Sequence, residues 1–252
     1  MKIRRFENLK MKIAHFQIPK SSNRRNMDPQ FVQTLWITFK LAFLTTVILL
    51  AIGLPFAWWL AYTKVRLKPF IEALVSMPMV LPPSVIGYYM LVAYSPRNWF
   101  GEWLGRVFDV RLAFTFEGVL IASVIFSLPF MVQPLQTGLT SLPDTLREAS
   151  YTLGKSKWTT FLRVLLPNIK PSVITAVALT FAHSIGEFGI VLMVGGNMPG
   201  ETRVASIAIY DEVQALNFKA ANQYALILFL VSLVLLTTIY SVNRKYNSWK
   251  IM

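Results

Sequence analysis

The sequence contains no cysteine and only two histidines in 252 residues. Without cysteine the chain has no disulfide framework, no thiolate nucleophile and no thiolate metal ligand. The histidines, His15 and His183, are too few and too far apart for a zinc cluster. The sequence therefore predicts neither a metal site nor a bound cofactor.

Charge is scarce as well: charged residues make up 15% of the chain and hydrophobic residues 54%. An ordinary soluble domain carries about 25% charged residues. A helix needs about 20 apolar residues to cross the hydrocarbon core, and helices leave no backbone group unpaired there. Five stretches have this length and almost no charge, namely 41–63, 73–96, 118–143, 171–200 (interrupted by Glu187) and 220–243. These stretches predict an all-α, polytopic membrane protein with five transmembrane helices.

The net charge of +13 would suggest a nucleic-acid partner for a soluble protein. Here the basic residues concentrate in alternate loops: 64–72, 144–170 and the C-terminal tail hold eleven. Loops 97–117 and 201–219 hold five, balanced by six acidic residues. Because basic residues favour the cytoplasmic side of short loops, we predict a cytoplasmic C-terminus, an N-terminus outside and no nucleic-acid partner.

The first 26 residues conflict with this orientation, since they carry eight basic residues and one acidic residue. They contain no long apolar run, so they are neither a signal peptide nor a sixth helix. Met27 then opens a short polar lead into the first span. We expect residues 1–26 to be upstream sequence translated from a mis-assigned start; the alternative is a genuine basic extension.

The loop at 144–170 predicts a short helix from about Pro143 to Leu153. Four apolar residues fall at helical spacing in this segment: Leu142, Leu146, Ala149 and Leu153. Gly154 suits a helix stop with positive φ, and Pro167 and Pro171 mark entry to the next span. Such a helix either lies on the membrane or docks into a partner protein.

The same loop resembles the EAA loop of ABC importer permeases. Glu148-Ala149-Ser150, Gly154 four residues later and Val164-Leu165-Leu166-Pro167 match that pattern in spacing, with Ser150 for Ala and Val164 for Ile. The resemblance implies the type I ABC importer permease fold for residues 27–252. It also implies that residues 143–167 couple the chain to a separate ATP-binding subunit. The coupling residues carried over are Arg147, Glu148, Ala149, Ser150, Gly154 and Pro167.

A second motif overlaps this loop, because Gly154-Lys155-Ser156 ends like a P-loop. Ala149 stands where that motif needs glycine, and no strand precedes it. The phosphate-binding context is missing, so ATP binding by this chain is rejected. The chain is not predicted to be an enzyme.

Three further segments resemble molybdate permeases: Met77 to Tyr89, Ser184 to Gly189, and Gly196 to Arg203 with Tyr210 beyond. Sulfate permeases share the general scheme. The resemblance implies a homodimer in a bacterial inner membrane, with two ATP-binding subunits and a periplasmic or extracellular molybdate-binding protein. A sulfate, thiosulfate or tungstate permease is the alternative. An ion-coupled secondary transporter is disfavoured, because such proteins usually show two repeated halves.

Pro78, Pro82 and Pro83 interrupt the second predicted span and must kink or break its helix. The bend either improves packing or lines the pathway, and we expect the second. A tetrahedral dianion is best recognised by neutral hydrogen-bond donors, held weakly so that it can leave. The predicted pathway residues are Pro82, Pro83, Ser84, Thr180 and Ser184.

Glu187 is the one acidic residue well inside a predicted span. Ionisable residues at membrane depth are costly and usually paired or functional. His183 lies four residues earlier, on the same face of a helix. Because a bare carboxylate would repel molybdate, we predict a structural role in which Glu187 pairs with His183 or with backbone donors.

Overall fold

The computed structural model describes residues 29–248. The predicted extension at 1–26 and the predicted start at Met27 lie outside the described residues. Within residues 29–248 the chain forms helices and no strand, which confirms the all-α class. In chain order the helices are α1 (Pro29–Tyr62), α2 (Lys68–Val80), α3 (Pro83–Tyr94), α4 (Trp99–Phe108), α5 (Phe116–Thr140), α6 (Asp144–Thr152), α7 (Lys157–Asn168), α8 (Lys170–Gly186), α9 (Gly189–Gly195), α10 (Ala205–Gln214) and α11 (Phe218–Ser248).

Three of these helices, α1, α5 and α11, are each long and apolar enough to cross a membrane. Two bent pairs, α2 with α3 and α7 with α8, raise the number of spans to five if each pair crosses once. The upper number equals the five spans predicted from composition. The predicted fourth span, 171–200, is however not one helix, because α8 ends at Gly186 and α9 begins only at Gly189.

The second span is broken where the prolines predict. α2 ends at Val80 and α3 begins at Pro83, and the two axes are bent by 108°. Pro82 and Pro83 have no backbone N–H to continue the hydrogen-bond ladder. Pro78, by contrast, lies inside α2 without ending it.

The core of the bundle lies between α1, α5 and α8, which pack against one another. Its fully buried side chains include Leu49, Leu60, Met131 and Leu135. A second cluster joins α1 and α5 to α9 through residues such as Leu41, Val119 and Ile190. Because both clusters use α5, this helix is the central element on which the others are positioned.

The last span, α11, is mostly exposed: only 11% of its most apolar window is buried. Its exposed side chains are large and apolar, with Leu233 and Val234 among them. In a bilayer, lipid or another chain covers such a surface.

Candidate functional site

The predicted short helix is present as α6, which lies between the third and fourth spans. It follows Pro143, whose backbone is extended, and carries Asp144 in its first turn, where a negative charge suits the helix dipole. At its end Gly154 has φ of +72°, as predicted. The N–H of Lys155 donates to the carbonyl of Ser150 at 3.1 Å and closes the turn.

The two sides of α6 differ in what they offer a partner. Glu148 and Ala149 are exposed, and the Leu153 side chain is 76% exposed. Ser150 is only 5% exposed, and its hydroxyl lies 2.8 Å from the hydroxyl of Thr160 in α7. The position of Ser150 along α6 thus turns it inward in the single chain, and its docking onto a partner stays a prediction.

Arg147 holds α6 to the end of the first span. Its guanidinium forms an ion pair with Asp144 at 2.9 Å and lies 4.5 Å from the ring centroid of Tyr62 in α1. The Tyr62 hydroxyl donates to the carbonyl of Leu139 at 2.9 Å, which joins α1 to α5. Pro167 is exposed near the end of α7, just before the 79° bend into α8.

The break between α2 and α3 and the break between α8 and α9 meet in space. A Cβ added at Gly189 would lie 2.9 Å from the Cβ of Pro83. One added at Gly87 would lie 2.8 Å from the Cβ of Met193. Two segments that are far apart in the sequence are therefore packed together through glycines, with Pro82, Pro83 and Ser84 exposed beside them.

Thr180 and Ser184 do not face open space. Both are buried on the side of α8 that packs against α5. The hydroxyls of Ser184 and Ser127 lie 3.2 Å apart, and Thr180 Oγ1 has no hydrogen-bond partner among the described residues. In this conformation both residues are buried within one chain, and their place along the pathway stays a prediction.

Glu187 lies at the break between α8 and α9, not on a helix. Its backbone is extended, with φ −61° and ψ 126°. Its carboxyl group is 3% exposed and accepts a hydrogen bond from the hydroxyl of Ser123 in α5. Its carbonyl accepts another from the hydroxyl of Ser206 in α10. Glu187 thus ties the break to two neighbouring helices.

His183 takes a different environment from the one predicted. Its ring stacks on Phe130 with centroids 3.9 Å apart, and lies 5.1 Å from the Phe126 ring. Among the described residues no hydrogen bond or ion pair joins His183 to Glu187. α8 ends at Gly186, so the helical spacing on which the pair depends does not reach Glu187. The structural role of Glu187 through a partner stays a prediction.

A polar groove between α2 and α5 was not predicted. It is a cavity of about 270 Å³ whose walls include the side chains of Glu72, Ser76, Gln133, Gln136, Thr137 and Thr140. Gln136 Nε2 donates to Glu72 Oε1 at 2.6 Å, and Gln133 Nε2 donates to Ser76 Oγ at 2.9 Å.

The sequence did contain a signal for this groove. The four α5 residues have the spacing i, i+3, i+4 and i+7, which places them on one helix face. These side chains are neutral, so the distribution of charge along the sequence does not reveal them. The groove offers amide and hydroxyl groups between two candidate membrane spans. Over residues 29–248 no cluster of three or more His, Asp or Glu side chains could hold a metal ion.

Helices of membrane length, broken spans that meet and a short exposed helix between two spans define a polytopic membrane subunit with the type I ABC importer permease fold. The model of the family described as "binding-protein-dependent transport system inner membrane component" matches residues 53–248. The chain belongs to this family.

Named relatives agree with this membership. The chain is 45% identical over 208 residues to the molybdenum transport system permease protein ModB of Azotobacter vinelandii, covering 82% of this chain and 92% of that protein. It is 32% identical over 220 residues to the sulfate transport system permease protein CysT of Escherichia coli K12, covering 87% and 79% respectively.

A solved structure gives the same fold. A chain of a bacterial ABC transporter involved in the import of the polysaccharide alginate superposes with a TM-score of 0.73. The two chains are 17% identical over 87% of this chain and 80% of the other. At that identity the likeness concerns the fold alone.

Proposed function

We propose that the chain is the permease subunit of an ATP-driven molybdate importer. The observation that supports molybdate as the substrate is the 45% identity to a molybdenum permease over 92% of that relative. The polar groove between α2 and α5 supports it, because neutral amides and hydroxyls can solvate a passing oxyanion without binding it tightly. The Glu72 carboxylate in that groove is engaged by Gln136 and has Lys68 Nζ 3.9 Å away, which reduces its repulsion of an anion.

In this proposal the chain is not an enzyme, and ATP is hydrolysed by a separate subunit. That subunit would bind α6, whose exposed Glu148, Ala149 and Leu153 project away from the bundle. Gly154 would fix the angle at which α6 is presented. Arg147 would transmit movement of α6 to α1 through its contact with the Tyr62 ring.

The proposed assembly is a homodimer with two ATP-binding subunits. Each chain presents one docking helix, whereas ABC motors work as a pair of nucleotide sites. The exposed apolar side chains of α2 and α3, such as Met79, Val80, Tyr88 and Tyr89, offer a surface on which the two permeases can meet. Pro82, Pro83 and Ser84 lie beside it, so the pathway would run between the two copies.

In the proposed orientation α6 faces the cytoplasm of a bacterial cell, the C-terminus is cytoplasmic and the N-terminus is outside. A molybdate-binding protein would deliver the anion to the opposite face. Sulfate is the second candidate substrate, because it is also a tetrahedral dianion and the sulfate permease relative is 32% identical over 87% of this chain.

A complementation assay tests the proposal. Expressed with its cognate ATP-binding subunit and binding protein, the chain should restore activity of a molybdenum-dependent enzyme in a bacterium that lacks molybdate uptake. The same three proteins should not restore growth of a mutant that lacks sulfate uptake. Rescue of the sulfate-uptake mutant alone would make sulfate the substrate in place of molybdate. The assignment of the chain as a permease would still stand.

A further inference from the structure

A cavity of about 430 Å³ lies where the end of α1 meets α6 and the start of α7. Aromatic side chains from α1 form one wall, and charged side chains from α6 and α7 form the other. The residues that matter here are Trp58, Trp59, Tyr62, Arg147, Glu148 and Lys157. We propose that this cavity binds the headgroup of an anionic phospholipid.

The aromatic wall lies at the end of a candidate membrane span and is held by ring contacts. Trp58 stacks on Phe161 with centroids 4.7 Å apart and lies 5.7 Å from the Trp158 ring. Trp59 is 44% exposed. Tryptophan and tyrosine rings are enriched at the level of lipid headgroups, where one edge is apolar and the other wet. The position and composition of this wall therefore fit an interfacial site.

The charged wall contains one unpaired cation. Arg147 is already ion-paired with Asp144 at 2.9 Å. Lys157 has no acidic partner within 4 Å in the part of the chain that the structure describes, and it is exposed. Its ammonium group is available for a phosphate oxygen, with the Arg147 guanidinium as a second positive group.

The surface beside the cavity favours a lipid over a soluble phosphate. Ile52 and Trp59 are 51% and 44% exposed and lie seven residues apart, on one face of α1. Seven residues of helix span about 10 Å, so this apolar strip runs from the cavity toward the middle of the span. An acyl chain can lie along it while the headgroup occupies the cavity.

The two lysines near Ser156 allow a matched test. Lys157 lines the cavity, whereas Lys155 is exposed in the same turn and does not line it. Lys157→Gln should fold normally, because it removes a positive charge from the first turn of α7, where the helix dipole disfavours one. Lys155→Gln removes the same charge from the same loop.

Native mass spectrometry of the purified, delipidated full chain would measure the binding of phosphatidylglycerol and of phosphatidylcholine with the same acyl chains. We expect tighter binding of phosphatidylglycerol, weakened about fivefold by Lys157→Gln, since one basic group near the lipid surface contributes about 1 kcal/mol. Lys155→Gln should leave it unchanged. Binding of phosphatidylcholine should be the same in all three proteins.

Three results would overturn the inference. Equal effects of Lys155→Gln and Lys157→Gln would mean nonspecific attraction to the basic loop. Equal binding of both lipids would mean that the headgroup charge is not recognised. If glycerol phosphate competes for the cavity as effectively as the intact lipid does, the cavity binds a soluble phosphate. None of these readouts depends on molybdate transport, so the proposed function can fail independently.

Discussion

Removing the Ser123 hydroxyl should destabilise the protein through Glu187, and a double-mutant cycle can measure that coupling. Ser123→Ala leaves the carboxyl group of Glu187 buried at 3% exposure without its one side-chain donor among the described residues. An unsatisfied buried polar group costs about 1–3 kcal/mol. This exceeds the average interhelical hydrogen bond in a membrane, about 0.6 kcal/mol.

The same substitution should cost little once the carboxyl group is gone. In Glu187→Ala the Ser123 hydroxyl can turn to a carbonyl of its own helix, as serine commonly does. Removing the hydroxyl from that background should therefore cost less than about 0.5 kcal/mol. The coupling between the two positions is the difference, about 0.5–3 kcal/mol.

His183 supplies the matched control for this cycle. Its ring stacks on Phe130 and makes no hydrogen bond to Glu187 within residues 29–248. His183→Ala should thus cost the same with or without Glu187→Ala, within about 0.5 kcal/mol. Unfolding of the single and double variants in detergent, titrated with a denaturing detergent, gives all the free energies. Coupling between His183 and Glu187, with none between Ser123 and Glu187, would refute the contacts described above.

Three further predictions concern the turn at Gly154, the helix α6 and the close contact at Gly189. Gly154→Val should insert into the membrane but lose coupled transport, because a β-branched residue at φ +72° costs roughly 1–2 kcal/mol. Gly154→Asn should keep most activity. Normal transport by the valine variant would contradict the role of this turn. Ala149→Asp should reduce co-purification of the ATP-binding subunit without lowering the yield of folded permease, because this side chain is exposed. Ser150→Ala should instead destabilise the loop by about 1 kcal/mol, which hydrogen exchange would detect. Gly189→Val should lower the folded fraction, because its Cβ would lie 2.9 Å from the proline that begins α3. Gly186→Ala is the control, because a Cβ at that position meets open space. Equal yields of the two variants would exclude the contact.

Features that depend on local chemistry could be predicted from the sequence. Long uncharged stretches fix where spans lie, because the bilayer sets the length. Pro82 and Pro83 cannot donate to a helix ladder, so the break of the second span was predictable. Gly154 marked a left-handed turn for an equally local reason.

Features that depend on tertiary contacts could not be predicted. Glu187 finds its donor on Ser123, 64 residues away, and the spacing of residues along one helix carries no information about such a partner. Thr180 and Ser184 look alike whether they line a pathway or pack between helices, since small polar residues serve both purposes in membranes. Only the packing of α8 against α5 distinguishes the two roles.

ATP-dependent uptake into proteoliposomes tests the central claim most directly. The chain, reconstituted with its ATP-binding subunit and supplied with the binding protein, should accumulate labelled molybdate only when ATP is present on the side that α6 faces. An excess of unlabelled sulfate should leave most of that uptake intact. Uptake without ATP would point to a secondary transporter, and uptake of sulfate in preference to molybdate would contradict the proposed substrate.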